Sequence, residues 1–356
     1  MSSDLFEPVG HGADAVADRL MAATLGAQEL FAVYVGERLG WYAALAARGP
    51  TTSAELASST GTDERYAREW LEHQAVSGYV TVDGEHRFVL TDGAREVLTD
   101  ADSPLYLAPL GRLQAASGRV VDDLVEAYRA GGGVSWQQMG DDARTSQGAL
   151  NRPFFLGALV DDVLPSIPVL HELLQRGAKV ADLGCGEGWS SIAVARAYPR
   201  ATVVGIDIDA PSIETAQRNA VRIGVEVAFE LADASSARHD EFDVVMFFEC
   251  VHDMADPVAV LAAARAMVRD DGYVLVADER TEEVFTAPAG PVERLLYGWS
   301  LTVCLPDGRS ASPSVATGTV MRPAVLDGYA RAAGFAGIEI LPIEHDMLRF
   351  YRLLTA

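Results

Sequence analysis

The chain has 356 residues and a formal net charge of −23, with 49% hydrophobic and 22% charged residues. This length accommodates two domains, and the composition is that of a folded globular chain. The excess of carboxylates excludes spontaneous attraction to nucleic-acid phosphates or to anionic lipid. The three cysteines, Cys185, Cys250 and Cys304, are far apart, so we expect neither a disulfide framework nor a zinc cluster. Without a signal-peptide pattern or an 18-residue apolar run, the sequence predicts a soluble cytoplasmic protein with no membrane partner.

The first residues of the chain carry a helical pattern. Apolar residues at helical spacing predict helices over residues 13–24 and 29–47. The capping-box sequence from Thr52 to Glu55 predicts a short helix over residues 53–58. These helices are the first part of an N-terminal domain.

A further helix and a hairpin complete this N-terminal pattern. Thr62 is predicted to cap a helix that runs to Val76, and an Asp-Gly turn at residues 83–84 predicts a two-stranded hairpin over residues 79–90. The order helix, turn, helix and two-stranded wing resembles a winged helix. We therefore assign residues 1–105 to a mainly α, winged-helix-like domain.

The charge of this domain argues against nucleic acid as a partner. The would-be recognition helix, residues 62–76, has two basic and four acidic side chains, and residues 1–105 have 7 basic and 17 acidic ones. DNA binding requires several phosphates to be neutralised by Lys or Arg. The helices over residues 13–24 and 29–47 carry more apolar positions than a wing could cover. We therefore predict that this domain forms a homodimer and covers substrate.

The rest of the chain divides into a helical segment and a strand–helix alternation. Residues 106–168 are predicted to form a helical linker with substrate-pocket helices, interrupted at residues 131–133 and 151–153. Residues 169–356 alternate strands with helices, which is typical of a mostly parallel α/β sheet. The last two strands lie too close in sequence for a crossover helix and predict an antiparallel hairpin. The predicted strands are residues 180–183, 202–206, 227–231, 242–247, 273–277, 337–341 and 348–353.

A glycine-rich loop follows the first of these strands. Asp182 stands two residues before Gly184 in the sequence Asp-Leu-Gly-Cys-Gly-Glu-Gly. Glycine at such a position allows a tight strand-to-helix turn and close approach of the backbone to a ligand. A nicotinamide-binding loop would need Gly or Ala where Trp189 stands. The spacing is therefore G-x-G-x-G, preceded by an acid.

Acidic residues also end the next two strands. Asp207 follows the second strand, where a carboxylate can accept both hydroxyls of a ribose. Asp233 follows the third strand, where it can reach an adenine amino group. Three acids at successive strand ends would repel the phosphates of a dinucleotide, yet they suit a cationic, phosphate-free nucleoside.

This constellation resembles the class I S-adenosylmethionine-dependent methyltransferases. The resemblance implies a Rossmann-like seven-stranded sheet of order 3-2-1-4-5-7-6, in which the final hairpin supplies the antiparallel seventh strand. It implies S-adenosyl-L-methionine as the cofactor, with Asp182 near its amino acid end, Asp207 on the ribose, and Asp233 with Ala234 at the adenine. The cofactor-binding residues that it implies are Asp182, Gly184, Cys185, Gly186, Gly188, Asp207, Ile208, Asp233, Ala234, Phe248 and Glu249.

The whole chain resembles the two-domain small-molecule methyltransferases of actinobacteria and, more distantly, the plant-type O-methyltransferases. This resemblance implies a small-molecule methyl acceptor, of the kind used in secondary metabolism. A complete plant-type His and Glu catalytic pair is not matched in the sequence. Transfer to oxygen, nitrogen or carbon therefore stays open.

Two His-Asp pairs are candidates for a catalytic base. His252 and Asp253 follow the fourth strand and His345 lies between the last two, so both histidines should lie at the edge where parallel sheets bind ligands. An imidazole with its ordinary pKa near 6.5 could take a proton from an acceptor hydroxyl, with Asp253 orienting the ring. Each histidine could instead cap a turn. Residues 281–321, rich in Pro, Gly and aromatics, are predicted to line the acceptor pocket.

The same residues also bear on three other possibilities, which are a metal site, a non-methylating enzyme and a transcriptional regulator. No metal is expected, because no His-x-x-x-His or clustered ligand spacing occurs. A cofactor-binding enzyme with a non-methylating reaction would carry the same loop and acids. A transcriptional regulator that senses the cofactor would need a basic recognition helix, which the sequence lacks.

Overall fold

The computed structural model describes residues 10–236 and 241–355. These residues divide into two compact units, which we name the helical unit and the sheet unit, and each buries its own apolar core. The helical unit contains residues 10–118 and 145–153, and the sheet unit contains residues 119–144 and 154–355.

The helical unit consists of short helices and a two-stranded hairpin. Its elements are α1 (Ala13–Arg38), α2 (Trp41–Arg48), α3 (Ser53–Thr60), α4 (Glu64–Val76), β1 (Val80–Val82), β2 (Phe88–Leu90), α5 (Asp92–Thr99) and α6 (Pro109–Arg119). The predicted capping box at the start of α3 is confirmed, because Thr52 and Glu55 each accept the other's backbone amide. β1 and β2 pair antiparallel, as the Asp-Gly turn predicts. Trp41 and Trp70 pack in the core with ring centroids 4.9 Å apart.

The predicted break between the first two helices is wrong. α1 continues without interruption through Gly26, and the break falls at Gly40, whose φ is +70°. A glycine within a helix costs only about 1 kcal/mol, whereas the left-handed conformation at Gly40 is one that other residues avoid. The chain therefore breaks where the backbone requires glycine and tolerates it elsewhere.

The predicted cap of α4 is displaced by one residue. Asp63 precedes the helix, and its carboxylate accepts the amide of Tyr66 at 3.2 Å. The Thr62 hydroxyl instead accepts the indole N–H of Trp41 at 3.1 Å. Because the Thr62 hydroxyl accepts a hydrogen bond from the buried Trp41, Asp63 caps α4 in its place.

The sheet unit places helices on both faces of one sheet. Its helices are α7 (Val121–Ala130), α8 (Trp136–Met139), α9 (Asp141–Phe154, shared with the helical unit), α10 (Pro168–Arg176), α11 (Trp189–Ala197), α12 (Ala210–Ile223), α13 (Pro257–Met267), α14 (Pro291–Trp299), α15 (Leu305–Gly308) and α16 (Pro323–Ala332). The predicted interruption at residues 151–153 is wrong, because α9 passes through Pro153 into a π-helical segment, Phe155–Val163. The wider turn satisfies the Leu164 amide on Leu159 at 2.9 Å.

The sheet has seven strands in the predicted order. Its strands are β3 (Lys179–Leu183), β4 (Thr202–Asp207), β5 (Ala228–Leu231), β6 (Phe242–Phe248), β7 (Val268–Glu279), β8 (Gly337–Ile340) and β9 (Leu348–Leu354). The spatial order is β5-β4-β3-β6-β7-β9-β8, and β9 runs antiparallel to both of its neighbours. The remaining pairs are parallel, so the carboxyl ends of β3 to β7 lie at one edge of the sheet. This edge carries the candidate site.

Within residues 10–236 and 241–355, no single helix is both long and apolar enough to cross a bilayer. The bent pair Asp141–Val163 and Pro168–Arg176, which meets at 106°, passes that test of length and composition only when both helices are taken together.

Candidate active site

The loop between β3 and α11 has its three predicted glycines in left-handed conformations. Gly184, Gly186 and Gly188 have φ values of +75°, +51° and +80°. A Cβ atom at Gly184 would lie 2.9 Å from Cys250, and one at Gly188 would lie 2.7 Å from the Phe229 ring. A Cβ atom at Gly186 would meet nothing within 4 Å. Two glycines thus permit close packing, while the third leaves backbone open to a ligand.

Asp182 lies buried beneath this loop. The hydroxyls of Ser190 and Ser191 donate to its Oδ2 at 2.6 and 2.5 Å. Its Oδ1 is buried, and no hydrogen-bond partner for it lies among residues 10–236 and 241–355. Burial, aided by the nearby carboxylate of Asp207, raises the pKa of Asp182 to about 6, although the serine hydrogen bonds oppose this shift. Oδ1 of Asp182 is therefore a hydrogen-bond acceptor that a ligand with an N–H or O–H group could satisfy.

Asp207 connects the glycine loop to the end of β4. Its Oδ2 accepts the amide of Gly186 at 2.7 Å, and its Oδ1 accepts the amide of Asp209 at 2.8 Å. Each carboxylate oxygen retains a further lone pair. Burial raises the pKa of Asp207, and these backbone hydrogen bonds partly offset the shift. Asp207 therefore shapes the loop and can still accept hydroxyl groups.

The other predicted cofactor residues occupy varied surroundings. Cys185 is buried in the loop, whereas Ile208 is 71% exposed beside Asp207. Asp233 is exposed, its Oδ1 accepts the amide of Ser235 at 2.8 Å, and Ala234 after it packs against the sheet core. The Ala232 amide donates to the Asp207 backbone carbonyl at 3.0 Å, which brings the end of β5 to the same place.

The end of β6 carries a strained residue. Phe248 is buried against Phe155, with ring centroids 5.4 Å apart. Glu249 has a φ of +52°, unusual for a residue with a side chain, and its amide donates to the Ala277 carbonyl at 2.8 Å. Strained backbone of this kind is concentrated at ligand sites.

His252 lies in a single 3₁₀ turn after β6 and is 2% exposed. Its Nδ1 lies 2.7 Å from the carboxylate of Asp278, the buried residue near the end of the neighbouring strand β7. Its Nε2 lies 3.3 Å from Oδ1 of Asp253. The sequence suggested Asp253 as the residue that orients the ring, but Asp278 makes the shorter contact. Asp278 is thus a functional candidate that sequence reasoning missed, although it ends a strand as the three predicted acids do.

The expectation of an ordinary imidazole pKa at His252 is wrong. Burial alone would lower that pKa, because it disfavours the charged ring. The carboxylates of Asp253 and Asp278 outweigh burial and raise the pKa of His252 well above 6.5. The two acids therefore favour the protonated, imidazolium form of the ring.

The segment over residues 281–321 contributes two further polar groups. A π-helical turn, Ser300–Cys304, joins α14 to α15. The Cys304 thiol and the side-chain ligand atoms of His252 and Asp253 all lie within 4.8 Å of one another. Burial, with the Asp253 carboxylate nearby, raises the pKa of this thiol to about 12. Sequence reasoning missed Cys304 because nothing in the local pattern links it to a histidine 52 residues earlier.

Asp307, in α15, is the second of these groups. Burial, with Asp253 as the next largest cause, raises the pKa of Asp307 to about 7. Its Oδ1 accepts the amide of Trp136 at 2.7 Å. Among the described residues, the cluster of His252, Asp253 and Cys304 is the group that could ligate a cation. The sequence expectation of no metal stays a prediction.

His345 has a different environment from His252. Its Nδ1 accepts the amides of Met347 and Leu348 at 3.2 and 3.0 Å, and its ring packs on Phe154 with centroids 5.0 Å apart. Burial lowers the pKa of His345, so the ring stays neutral. The nitrogen that accepts two amides has no lone pair left for a substrate proton. These contacts favour the turn-capping alternative that the sequence left open for this residue.

Two family models match the chain. Residues 27–99 match an Rv2258c-like winged HTH domain, and residues 174–295 match a methyltransferase domain. The first range covers most of the helical unit through α5, and the second covers the glycine loop, Asp207, His252 and Asp278.

Similar proteins of known name and structure agree with these models. The ubiquinone biosynthesis O-methyltransferase of Ralstonia nicotianae is 30% identical over 183 residues, which are 50% of this chain and 71% of that protein. The mitomycin 7-O-methyltransferase superposes with a TM-score of 0.74 at 22% identity, covering 98% of this chain and 100% of the other.

A second solved structure carries ligands. An O-methyltransferase from neocarzinostatin biosynthesis, solved with S-adenosyl-L-homocysteine and 1,4-dihydroxy-2-naphthoic acid, superposes with a TM-score of 0.61 at 19% identity. The superposition covers 92% of this chain and 95% of that one. At such identities the two structural likenesses show a shared fold.

Proposed function

We propose that this chain, which belongs to the S-adenosylmethionine-dependent methyltransferases, methylates a hydroxyl group of a small aromatic molecule, with His252 as the base. The observation that carries this proposal is the buried His252–Asp278 pair, whose nitrogen and oxygen lie 2.7 Å apart. β6 pairs in parallel with β3, and β7 pairs in parallel with β6, so the carboxyl ends of β6 and β7, which carry this pair, share an edge with the glycine loop.

The residues around the glycine loop fit the cofactor of this family. Asp182 offers a buried, unpartnered oxygen that would hold the cationic amino acid end, and Gly186 leaves open space beside it. Asp207 would accept the ribose hydroxyls with the lone pairs that its backbone donors leave. When bound, S-adenosylmethionine supplies an electrophilic methyl group on a sulfonium sulfur.

His252 would receive the hydroxyl proton at Nε2. Asp278 accepts the Nδ1–H bond, which fixes the tautomer and keeps the Nε2 lone pair available when the ring is neutral. A phenol with a pKa near 10 keeps its proton at neutral pH, so a positioned base accelerates its reaction. Asp253, 3.3 Å from Nε2, would stabilise the imidazolium that forms. The neutral ring is required, so the reaction is expected to proceed faster as the pH rises.

An aromatic acceptor is supported by the segment over residues 281–321 and by the similar proteins. Phe285 and Tyr297 of this segment stack edge to face, with centroids 6.4 Å apart. One relative is named for ubiquinone biosynthesis, and one structural neighbour was solved with a dihydroxynaphthoic acid. We extend this to a role in small-molecule biosynthesis, carried out in the cytoplasm.

A transcriptional regulator is the second candidate, and the charges of α4 disfavour it. Arg65 and Arg68 are the basic residues of this helix, and they lie 2.5 and 3.0 Å from Glu69 and Glu64. Both cations are therefore paired with carboxylates on their own helix and are poorly available to phosphates. A non-methylating reaction at the same cofactor site is the third candidate, and its products distinguish it from methyl transfer.

Mass spectrometry tests the proposed reaction. The full chain is incubated with S-adenosylmethionine and a panel of phenols, naphthols and matched aromatic amines. We expect a phenolic product with one added methyl group, formed in step with S-adenosylhomocysteine. Methylation of amines alone would contradict the hydroxyl assignment. Cofactor consumption without methyl gain would favour a non-methylating enzyme.

We further propose a homodimer formed through α1. Leu20, Met21 and Leu25 of this helix are 66%, 63% and 59% exposed, an apolar surface that a single copy leaves in water. Light scattering of the full chain should give twice the monomer mass, and Met21→Glu should lower it towards the monomer. A monomeric parent protein would contradict the proposal. We also propose the division of the chain into domains over residues 1–105, 106–168 and 169–356.

A further inference from the structure

Cys304 lies close to His252, but the proposed role of His252 as the base does not involve it. Cys304 reaches His252 and Asp253 from the π-helical turn after α14, a segment far from both in sequence. Its sulfur and the side-chain ligand atoms of His252 and Asp253 all lie within 4.8 Å of one another, and Oδ1 of Asp253 is buried without a hydrogen-bond partner among the described residues. Asp278 is hydrogen-bonded to Nδ1 of the His252 ring. Cys304 therefore lies beside Asp253, the carboxylate that is 3.3 Å from Nε2 of the ring.

We propose that Cys304 is a positioning residue, whose thiol donates a hydrogen bond to Asp253 and so holds Asp253 and the Nε2 edge of His252 in place. This inference rests on the proposed function of His252 as the base. Cys304 itself takes no proton from the acceptor and makes no covalent bond. Its contribution is the geometry and charge of the two residues that it contacts.

A neutral donor is what this position requires. Asp253 and Asp278 already place two carboxylates around one imidazole, and Oδ2 of Asp278 is buried without a hydrogen-bond partner among the described residues. A third anion would add repulsion, whereas an S–H group stabilises the Asp253 carboxylate without adding charge. The buried thiol, whose pKa is about 12, stays protonated at any working pH.

The segment that carries Cys304 is packed around the same turn. A Cβ atom at Gly308 would lie 3.1 Å from the Asp253 carbonyl, so α15 passes close to the base turn. Thr319 is fully buried, and its hydroxyl lies next to the thiol. Cys304 thus connects the segment over residues 281–321, which is predicted to line the acceptor pocket, with the turn that carries His252.

The experiment compares donor-retaining and donor-lacking variants of Cys304. Cys304→Ser keeps an O–H donor, Cys304→Ala removes it, and Cys304→Val removes it while nearly preserving volume. Thr302→Ala, on the same turn, is the matched control because its hydroxyl donates to the Gly298 carbonyl. For each, kcat, KM for both substrates, the pH–rate profile and binding of S-adenosylhomocysteine are measured.

We expect Cys304→Ala and Cys304→Val to lower kcat about five- to tenfold, the effect of losing one hydrogen bond of ordinary strength, because a thiol is a weak donor. KM for the cofactor should change less than about twofold, because the glycine loop is untouched. The acidic limb of the pH–rate profile should move to higher pH, since an Asp253 carboxylate without this donor attracts the imidazolium proton more strongly. Cys304→Ser should recover most of kcat and the wild-type limb.

Several outcomes would overturn the inference. Wild-type kcat and pH profile in Cys304→Ala and Cys304→Val would show that the thiol does nothing for the base. A serine variant as impaired as the valine variant would indicate a requirement for shape. Loss of activity on treatment with EDTA, restored by Zn²⁺, would show that the three residues hold a metal instead. His252→Gln is measured in parallel: if it stays active, the proposed base is wrong, and if it alone is inactive, only the role of Cys304 is wrong.

Discussion

The candidate site lies at the edge of the sheet where β3 to β7 end, and it has two halves: the loop half around the glycine loop and the base half around His252. Different kinds of interaction hold the key residues of the two halves in place. In the loop half, Asp207 is held by the backbone amides of Gly186 and Asp209, and all three lie within one strand–helix–strand unit. In the base half, His252 is held by the side chains of Asp278 and Asp253, with Cys304 arriving from a distant turn. The first half depends on backbone geometry and the second on charged side chains.

This difference predicts how each half responds to change. Backbone donors persist whatever the side chains are, so single substitutions in the loop half should weaken binding by moderate factors. Charged side chains in the base half are buried close to one another, so removing one leaves its neighbours without their counter-charge. Substitutions in the base half should therefore change rate and pH dependence together.

The largest effect is expected at His252. His252→Gln keeps a side-chain amide that can donate to Asp278 but cannot accept a proton. kcat should fall about 10²- to 10⁴-fold, the usual contribution of a general base. Affinity for S-adenosylhomocysteine, measured by calorimetry, should be nearly unchanged, because the loop half does not contain His252.

His252→Ala serves as the harsher companion. It leaves the buried carboxylate of Asp278 without its partner, so we expect the same loss of rate together with lower thermal stability. If His252→Gln costs less than about fivefold in kcat, methyl transfer proceeds by proximity alone. Loss of cofactor affinity in His252→Gln would instead show that the two halves are one structural unit.

Asp278→Asn should have the next largest effect. The amide can no longer select the tautomer with a lone pair on Nε2, so kcat should fall about tenfold to a hundredfold. Asp278 also raises the pKa of His252, and the active base is the neutral ring. The acidic limb of the pH–rate profile should therefore move to lower pH than in the parent enzyme. A limb that stays in place while kcat falls would remove Asp278 from the titrating pair.

Asp207 tests the loop half. Asp207→Ala should weaken cofactor binding at least about tenfold, because two ribose hydroxyls and two backbone amides lose an acceptor at up to about 1.5–3 kcal/mol each. Asp207→Asn keeps one oxygen acceptor and should be milder. In both variants kcat at saturating cofactor should change little. A large loss of kcat with unchanged affinity would move Asp207 from binding to catalysis.

The same contrast explains what the sequence could predict. The family resemblance predicts the strand order, and the structure confirms it. The glycine loop and the acids at residues 182, 207 and 233 depend on local spacing and on the rule that parallel strands end at one edge. Asp278 obeys that rule too and could have been found by it. Cys304 could not, because only the packing of a π-helical turn against residues 251–253 brings it to the base.

The misplaced elements have the same cause. α1 crosses Gly26 and α9 crosses Pro153, where local propensity predicts breaks. Thr62 gives its capping role to Asp63 because the buried Trp41 needs a hydrogen-bond acceptor. The pKa of His252 also depends on tertiary structure, since Asp278 approaches it from another strand. Local patterns locate the elements, and side-chain packing decides their ends and the chemistry between them.

The smallest effect on rate is expected at His345, which compares the two histidines directly. Its Nδ1 accepts the amides of Met347 and Leu348, so His345→Ala leaves two backbone donors without a partner. The free energy of unfolding at pH 8 should fall by about 1–3 kcal/mol, while kcat should stay within about threefold. Because burial lowers the pKa of His345, the neutral ring stabilises the fold above its unfolded pKa near 6.5, and this stabilisation is lost as the pH falls. Denaturant titrations should therefore show the difference between parent and variant shrinking from pH 8 to pH 5. A tenfold loss of kcat with unchanged stability would instead make His345 a member of the catalytic site.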